Sequence, residues 1–314
     1  MLQVMILVKP FWKTLAKHRP KYDFLLALKK QANLLFWPYD GNIVQILRNL
    51  RTKHQYEPDF ILQYDNAYSH FSPDITGLEQ ITIPKGYYVM DIHSPASTQA
   101  RKQFMEKNQF DLIFSVTKHA FLSEFPQFHQ SFRWLPFSIN PAVYTDWQEV
   151  KSIDYLLMGL VNFESDDVYP FRQHVLAQMN GLPGFVHHTH PGHFVSYKDA
   201  LFVNEKYAKE LNKAKIFFTC GSRYQYPVMK FFEALACKTL LIAEGNQDIE
   251  ELGFQDGIHY VHCTKTDDVI EKASYYLGHP SERERITNNG FQFVHENHSN
   301  NKRAEQFFKY LETQ

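Results

Sequence analysis

The chain has 314 residues, about two domains at roughly 150 residues each, so a peptide, a disulfide-stapled module and a lone binding motif are excluded. With 44% hydrophobic and 21% charged residues the composition is that of a globular protein rather than a disordered or collagen-like one. Lys+Arg 33 against Asp+Glu 34 leaves a net charge of −1, so no general nucleic-acid binding is expected and any anionic ligand must be met by a local site.

The opening MLQVMILVKP is apolar over only a few residues, lacks a basic region before it, and runs into Lys9 and Lys13 without a small-residue cleavage site. It reads as a buried first strand. Further short apolar runs follow at residues 32–37, 60–64, 87–90, 111–116 and 133–137, with helical stretches between them, which is the pattern of parallel strands joined by crossover helices. Residues 81–95 read as a turn at Lys85-Gly86, a buried strand, and Asp91-Ile92-His93 at its carboxyl end. A polar stretch at 144–152, with Thr145, Asp146, Gln148, Glu149 and Lys151, sustains neither a strand nor an apolar helix face and reads as a linker. The alternation restarts at 153–160, 185–188, 215–219, 239–243 and 259–262, with helices near 228–237 and 267–277. In the tail, Ala304, Phe307, Phe308 and Leu311 at i, i+3, i+4 and i+7 make one apolar stripe, so a terminal helix packs on the core.

The expected architecture is therefore α/β with two doubly wound domains, residues 1–145 and 153–314, the second ending in the terminal helix. Such domains take ligands at the carboxyl ends of their strands, so the loops after strands are where chemistry belongs. Neither GxGxxG nor GxxxxGK[ST] occurs, which counts against dinucleotide-fingerprint dehydrogenases and P-loop nucleotide hydrolases. GxSxG and HExxH are missing as well. Cys220, Cys237 and Cys263 fit neither a CxxC knuckle nor an even disulfide framework, which places the chain in a reducing, cytoplasmic compartment. No run reaches the 18 or so apolar residues of a membrane helix. The histidines of His187-His188-Thr189-His190-Pro191-Gly192-His193 have metal-binding chemistry, but no carboxylate or cysteine accompanies them, and no metal is expected.

The most informative segment is 221–258, which reads as a loop, a helix from about Val228, a tight turn, a buried strand and a second loop and helix. Glu233 stands in Phe231-Phe232-Glu233-Ala234-Leu235-Ala236. Burying a carboxylate there costs several kcal/mol unless it is paired or meets a ligand hydroxyl; the alternative is a Glu on the solvent side of an amphipathic helix. SRYQYPVMKFFEALACKTLLIAE, the following DIEELGFQDGIHYV, and Tyr275-Tyr276-Leu277-Gly278-His279-Pro280 with Arg283 and Arg303 resemble the C-terminal half of glycosyltransferases of the GT-B fold, the family 1/4-like enzymes and within them the CgeB-like (spore maturation protein) branch. The resemblance covers about 100 residues.

That resemblance implies two Rossmann-like domains with a cleft between them and a role for Glu233 as acceptor of hydrogen bonds from the ribose hydroxyls of a sugar nucleotide. The first Glu of the family's E-x7-E pattern falls on Gln225, which bonds a hydroxyl but cannot stabilise positive charge at the reacting centre. Ser222, Arg223 and Tyr224 before the helix suit a phosphate, since a helix N-terminus beside a guanidinium attracts anions. Arg223 as a surface ion-pair residue and Lys230 as a solvated one are the alternatives. The Gly-Arg and Lys-Gly dipeptides with which the family neutralises the diphosphate after the first strand of the second domain are missing, a departure that also keeps a silent scaffold open; Arg172, on the following helix, stands in for them, and Gly159 allows close backbone approach at that strand's end or simply a tight turn. Asp91 and His93 match the family's D-x-H that faces the donor sugar, the alternative being a capping Asp and a structural His. The implied activity is transfer of a hexosyl or N-acetylhexosaminyl unit from a nucleotide-diphosphate sugar, a UDP-sugar first, to an acceptor glycan, protein or cell-surface polymer, retaining and metal-independent. The sugar nucleotide is the co-substrate and no other cofactor is implied. Gln225 and the missing Gly-rich loop after the first strand, where Lys9-Pro10-Phe11-Trp12-Lys13 stands, keep open a catalytically silent scaffold that binds sugar nucleotide or glycan as an assembly partner.

Overall fold

The computed structural model describes residues 1–67, 70–90, 92, 95–161, 168–192, 194–198 and 201–313. The first half carries β1 (Gln3–Leu7), β2 (Asn33–Trp37), β3 (Gly41–Asn42), β4 (Phe60–Gln63), β5 (Ile75–Thr76), β6 (Lys85–Val89), β7 (Leu112–Ser115) and β8 (Phe132–Trp134). The second half carries β9 (Ile153–Gly159), β10 (Phe185–Thr189), β11 (Ala214–Thr219), β12 (Leu240–Ala243) and β13 (Val261–His262). Between and after them run α1 (Arg19–Leu28), α2 (Ile43–His54), α3 (Pro95–Asn108), α4 (His119–Glu124), α5 (Pro170–Met179), α6 (Asn204–Lys213), α7 (Met229–Ala236), α8 (Gln247–Glu251), α9 (Val269–Gly278), α10 (Pro280–Asn297) and α11 (Asn300–Glu312).

The strands pair in parallel into a six-stranded sheet, β2-β1-β4-β6-β7-β8, and a five-stranded sheet, β10-β9-β11-β12-β13, with a small β3-β5 pair beside the first. Parallel neighbours need crossover connections, and helices that cover both faces explain why β4 (FILQ) and β12 (LLIA) are buried throughout rather than alternating. The structure places Lys85 and Gly86 inside β6, not in a turn. Gly86 serves packing there: a Cβ on it would meet Phe60 at 2.8 Å and Phe114 at 2.9 Å, so its bare backbone is what lets these rings from the neighbouring strands close over the sheet. Local capping follows the usual chemistry, as at α2, where the Asn42 side chain accepts the amides of Val44 and Gln45 at 3.0 and 3.3 Å.

By packing, Met1–Thr14, Leu25–Pro136 and Ala304–Gln314 make one unit, and Leu15–Phe24 with Phe137–Arg303 the other. This division departs from a simple cut at the polar stretch, for reasons that hydropathy does not carry. Ile139 exchanges backbone hydrogen bonds with the 298–300 backbone at 3.0 and 2.8 Å, the Trp147 amide donates to Asn212 Oδ1 at 2.8 Å, and Lys151 Nζ donates to the carbonyls of Ala214 and Lys238 at 2.8 and 2.7 Å, so 137–152 is bound into the second unit. The end of α11 belongs to the first unit. Phe307, fully buried, lies 4.9 Å from the Phe114 ring and 6.2 Å from Phe60, while Gln306 and Tyr310 both donate to the Trp134 carbonyl.

Truncating that ring should loosen the first unit through cavity formation. Phe307→Ala is expected to cost about 3–5 kcal/mol in urea unfolding; a loss under about 1 kcal/mol, within the range of ordinary surface substitutions, would show that α11 is held by other means.

Candidate functional site

The carboxyl ends of the second sheet gather the side chains singled out by sequence. Gly159 closes β9 at φ +119, in the left-handed region, and a Cβ there would meet Lys230 Cε at 2.7 Å and Arg172 Nη1 at 3.4 Å. The missing side chain is the space that Lys230 occupies. Arg172, on α5 and only 3% exposed, donates from Nη1 to the Leu160 carbonyl at 3.0 Å and from Nη2 to Thr219 Oγ1 at 3.0 Å, and its guanidinium lies 4.2 Å over the Tyr169 ring. It ties the ends of β9 and β11 together, while its buried Nε has no hydrogen-bond partner among the described residues.

Glu233 on α7 is 5% exposed, which decides against the solvent-facing alternative. The Tyr144 and Tyr207 hydroxyls hydrogen-bond to its carboxylate, and Lys230 and Lys17 act on it as nearby positive charges. Burial nevertheless dominates and raises its pKa above the ordinary 4.5. Lys230, one helical turn earlier on the same face, places Nζ 4.4 Å from the Tyr207 ring centroid and 3.3 Å from its hydroxyl. Burial lowers its pKa to about 8; Glu233 opposes that shift and Arg172 adds to it. Both tyrosines are pushed well above 10 by burial and then by the Glu233 charge, so they remain neutral donors.

Ser222 and Gln225 adopt φ +61 and +53 in the turn before α7. Ser222 is buried, its Oγ accepting the Tyr224 amide at 3.2 Å, while Gln225 is exposed. Arg223 is exposed as well; its amide donates to the Val168 carbonyl at 2.9 Å and its guanidinium reaches the Tyr224 hydroxyl at 2.9 Å. Gly159, Arg172, Lys230 and Glu233 thus form one connected cluster, and Ser222, Arg223, Tyr224 and Gln225 form the turn that leads into its helix. Tyr144, Tyr207 and Lys17 complete the surroundings and were not marked by the sequence; His190, weighed there only among the histidines of 187–193 as a metal ligand, stands beside Lys17. Tyr207 carries no signal beyond its place on the buried face of α6, and Tyr144 sits at the start of the polar stretch read as a linker.

Asp91 and His93 lie outside the described residues. The residue before them is fixed: the Met90 amide donates to Asp65 Oδ2 at 2.9 Å, and Asp65 is ion-paired with Arg101 at 2.8 Å, both fully buried. Among the described residues no group of three or more His, Cys, Asp and Glu is placed to hold a metal. His188 of β10 instead faces Glu210 at 2.9 Å.

Two parallel Rossmann-like sheets in this order define the GT-B fold, and solved structures agree with it over the whole chain. HepE from Anabaena in complex with UDP-glucose is similar at a TM-score of 0.62 and 10% identity, with 100% of both chains covered. Sucrose-phosphate synthase from Thermosynechococcus elongatus is similar at 0.67 and 10%, covering 100% of this chain and 99% of that one. A glycosyltransferase from Rickettsia africae is similar at 0.56 and 11%, covering 98% and 97%. Residues 172–309, from the buried Arg172 to α11, match the family described as glycosyl transferase-like. No curated protein matches the chain by sequence.

The raised Glu233 pKa has a definite consequence for stability. Between the unfolded value near 4.5 and the higher folded value the native state holds the proton more tightly, so the cost of the buried charge is absent below that window and grows as pH rises through it. Urea unfolding of wild type and Glu233→Gln from pH 4 to 8 should therefore show wild type losing stability relative to the variant as pH rises; a pH-independent difference would contradict a raised pKa.

Proposed function

We propose that the chain is a glycosyltransferase that moves a hexosyl or N-acetylhexosaminyl unit from a nucleotide-diphosphate sugar, a UDP-sugar first, to an acceptor glycan, protein or cell-surface polymer. The observation that carries this reading is the buried Glu233 carboxylate, aimed by two tyrosine hydroxyls and flanked by Lys230 and Arg172 at the strand ends of a glycosyl transferase-like segment. A carboxylate held this way accepts from vicinal ribose hydroxyls, and adjacent cations stabilise the departing diphosphate. The fold is shared with HepE, which was solved with UDP-glucose.

In this reading Ser222, Arg223 and Tyr224 border the phosphates, Asp91 and His93 keep the donor-sugar role that the resemblance implies, and the reaction proceeds with retention and without a metal. The three cysteines are free and buried, in keeping with a reducing, cytoplasmic compartment. Among the described residues no helix is long and apolar enough to cross a membrane. A second reading, a silent scaffold that binds the donor without turnover, is favoured by Gln225, an exposed neutral side chain where related enzymes carry a carboxylate.

Nucleotide release from UDP-, GDP- and dTDP-sugars by wild type and Glu233→Gln separates the two. Release from one donor that falls tenfold or more in the variant is the expected result, about 1.4 kcal/mol of lost transition-state binding. Binding of a donor without release would establish the scaffold, and no response to any donor would overturn both. Because an anion favours the charged form of Lys230, donor affinity should also weaken as pH rises through about 8, and Lys230→Met should abolish that limb; a limb that persists in the variant would assign it to another group.

A further inference from the structure

At β13, the edge strand of the second sheet, lies a pocket that the groups around Glu233 do not use. It opens between α8, the loop 252–260 and β13, has a volume of about 470 Å³, and is lined by Glu250, Phe254, Gln255, Asp256, Tyr260 and His262. That volume is in the range of small-molecule sites. Its aromatic wall is fixed from behind, where the ring of Phe231 on α7 packs edge-on against Phe254 at 5.0 Å and Tyr260 at 5.2 Å. Gly245, just after β12, gives the wall its shape: a Cβ there would meet the Tyr260 hydroxyl oxygen at 2.5 Å and His262 Nδ1 at 2.9 Å.

Tyr260 is only 3% exposed, yet its hydroxyl has no hydrogen-bond partner among the described residues, and the pocket is the space left to it. A buried hydroxyl without a partner is costly unless a ligand or solvent supplies one. Burial, then the charges of Asp256 and Glu250, push its pKa up to about 12, so it stays a neutral donor with both carboxylates close by. Neither carboxylate is ion-paired among the described residues; Asp256 Oδ1 accepts the His262 amide at 2.6 Å, which leaves its second oxygen as an acceptor. His262 Nδ1 accepts the Gly245 amide at 2.8 Å, so the neutral ring carries its proton on Nε2 and is a donor.

The pocket thus presents acceptors on Glu250 and Asp256 beside donors on Tyr260 and His262. A phosphate would suit the donors and be repelled by the two carboxylates, while an ammonium group would suit the carboxylates and face the imidazole N–H. A hydroxyl both donates and accepts, and a pyranose carries several of them beside an apolar C–H face that suits aromatic rings.

We propose that this pocket binds a neutral saccharide, a hexopyranose unit whose hydroxyls bond to Glu250, Asp256, Tyr260 and His262, at a site separate from the donor groups around Glu233. The assignment does not depend on the transferase reading. Saturation-transfer NMR and titration calorimetry with methyl α-glucoside, methyl N-acetyl-β-glucosaminide and maltose test it on wild type, Tyr260→Phe and Glu250→Gln. At least one saccharide should bind the wild type equally well with and without saturating UDP, and both variants at least fivefold more weakly, while all three proteins melt alike. Should Tyr260→Phe melt lower, the exposed Glu250→Gln decides. Affinity unchanged in the variants, or a saccharide displaced by UDP, overturns the assignment by placing the sugar elsewhere. Failure of all three saccharides to bind also overturns it, and spermidine binding that Glu250→Gln abolishes would then make the pocket a cation site. Saccharide binding that follows the expected pattern in a protein that releases no nucleotide from any donor supports the pocket and removes the transferase reading alone.

Discussion

A single carboxylate placed in an apolar helix organises the second unit. Glu233 lies among Phe231, Phe232, Ala234, Leu235 and Ala236, all fully or nearly fully buried, and an unpaired charge there would drive its own neutralisation or the unfolding of the helix. The surrounding groups answer that cost: two tyrosine hydroxyls aim at it, and lysines approach from its own helix and from the Ala16–His18 turn. Each partner comes from a different element, so the elements must arrive together for the charge to be tolerated. Such a network makes stability and ligand binding depend on the same few side chains. Cys237, at the end of the same helix, illustrates the reach of the charge, since its thiol is pushed up first by burial and then by Glu233.

The strand ends show how backbone freedom is used. Gly159 leaves room for Lys230 and Arg172, and positive φ at Ser222 and Gln225 turns the chain sharply between β11 and α7. The positively charged groups are consequently brought to the edge of the sheet where the parallel strands end, the place where doubly wound folds receive ligands. Arg172 holds that edge in shape by bridging the end of β9 and β11.

The first unit follows a different logic, built on aromatic packing and one buried ion pair. Phe60, Phe114 and Phe307 meet over the glycine of β6, and the Asp65–Arg101 pair secures Met90 at the end of the same strand. A pair of this kind is strongly destabilising when one partner is removed, because it leaves the other charge buried and alone. Its value lies in fixing the strand end that precedes Asp91 and His93.

The periodicity of short apolar runs determined by itself that the chain is α/β with two parallel sheets, because strands buried on both faces must be apolar throughout whatever their partners. The pattern around Glu233 likewise marked the helix and its unusual carboxylate, since a charge in an apolar run is visible without coordinates, whereas Arg172 was marked through the family resemblance. Other features depended on groups that are distant in sequence and alike in composition. Tyr144 looked like part of a polar linker and Tyr207 like an ordinary helix residue, while Lys17 and His190 are 173 positions apart. Tertiary structure alone decided that Tyr144, Tyr207 and Lys17 act on Glu233 and that His190 meets Lys17, that Gly86 is a packing residue rather than a turn, and that α11 ends in the first unit. The physical reason is the same throughout: hydropathy reports whether a residue is buried, and pairing across the fold is set by which surfaces close on one another.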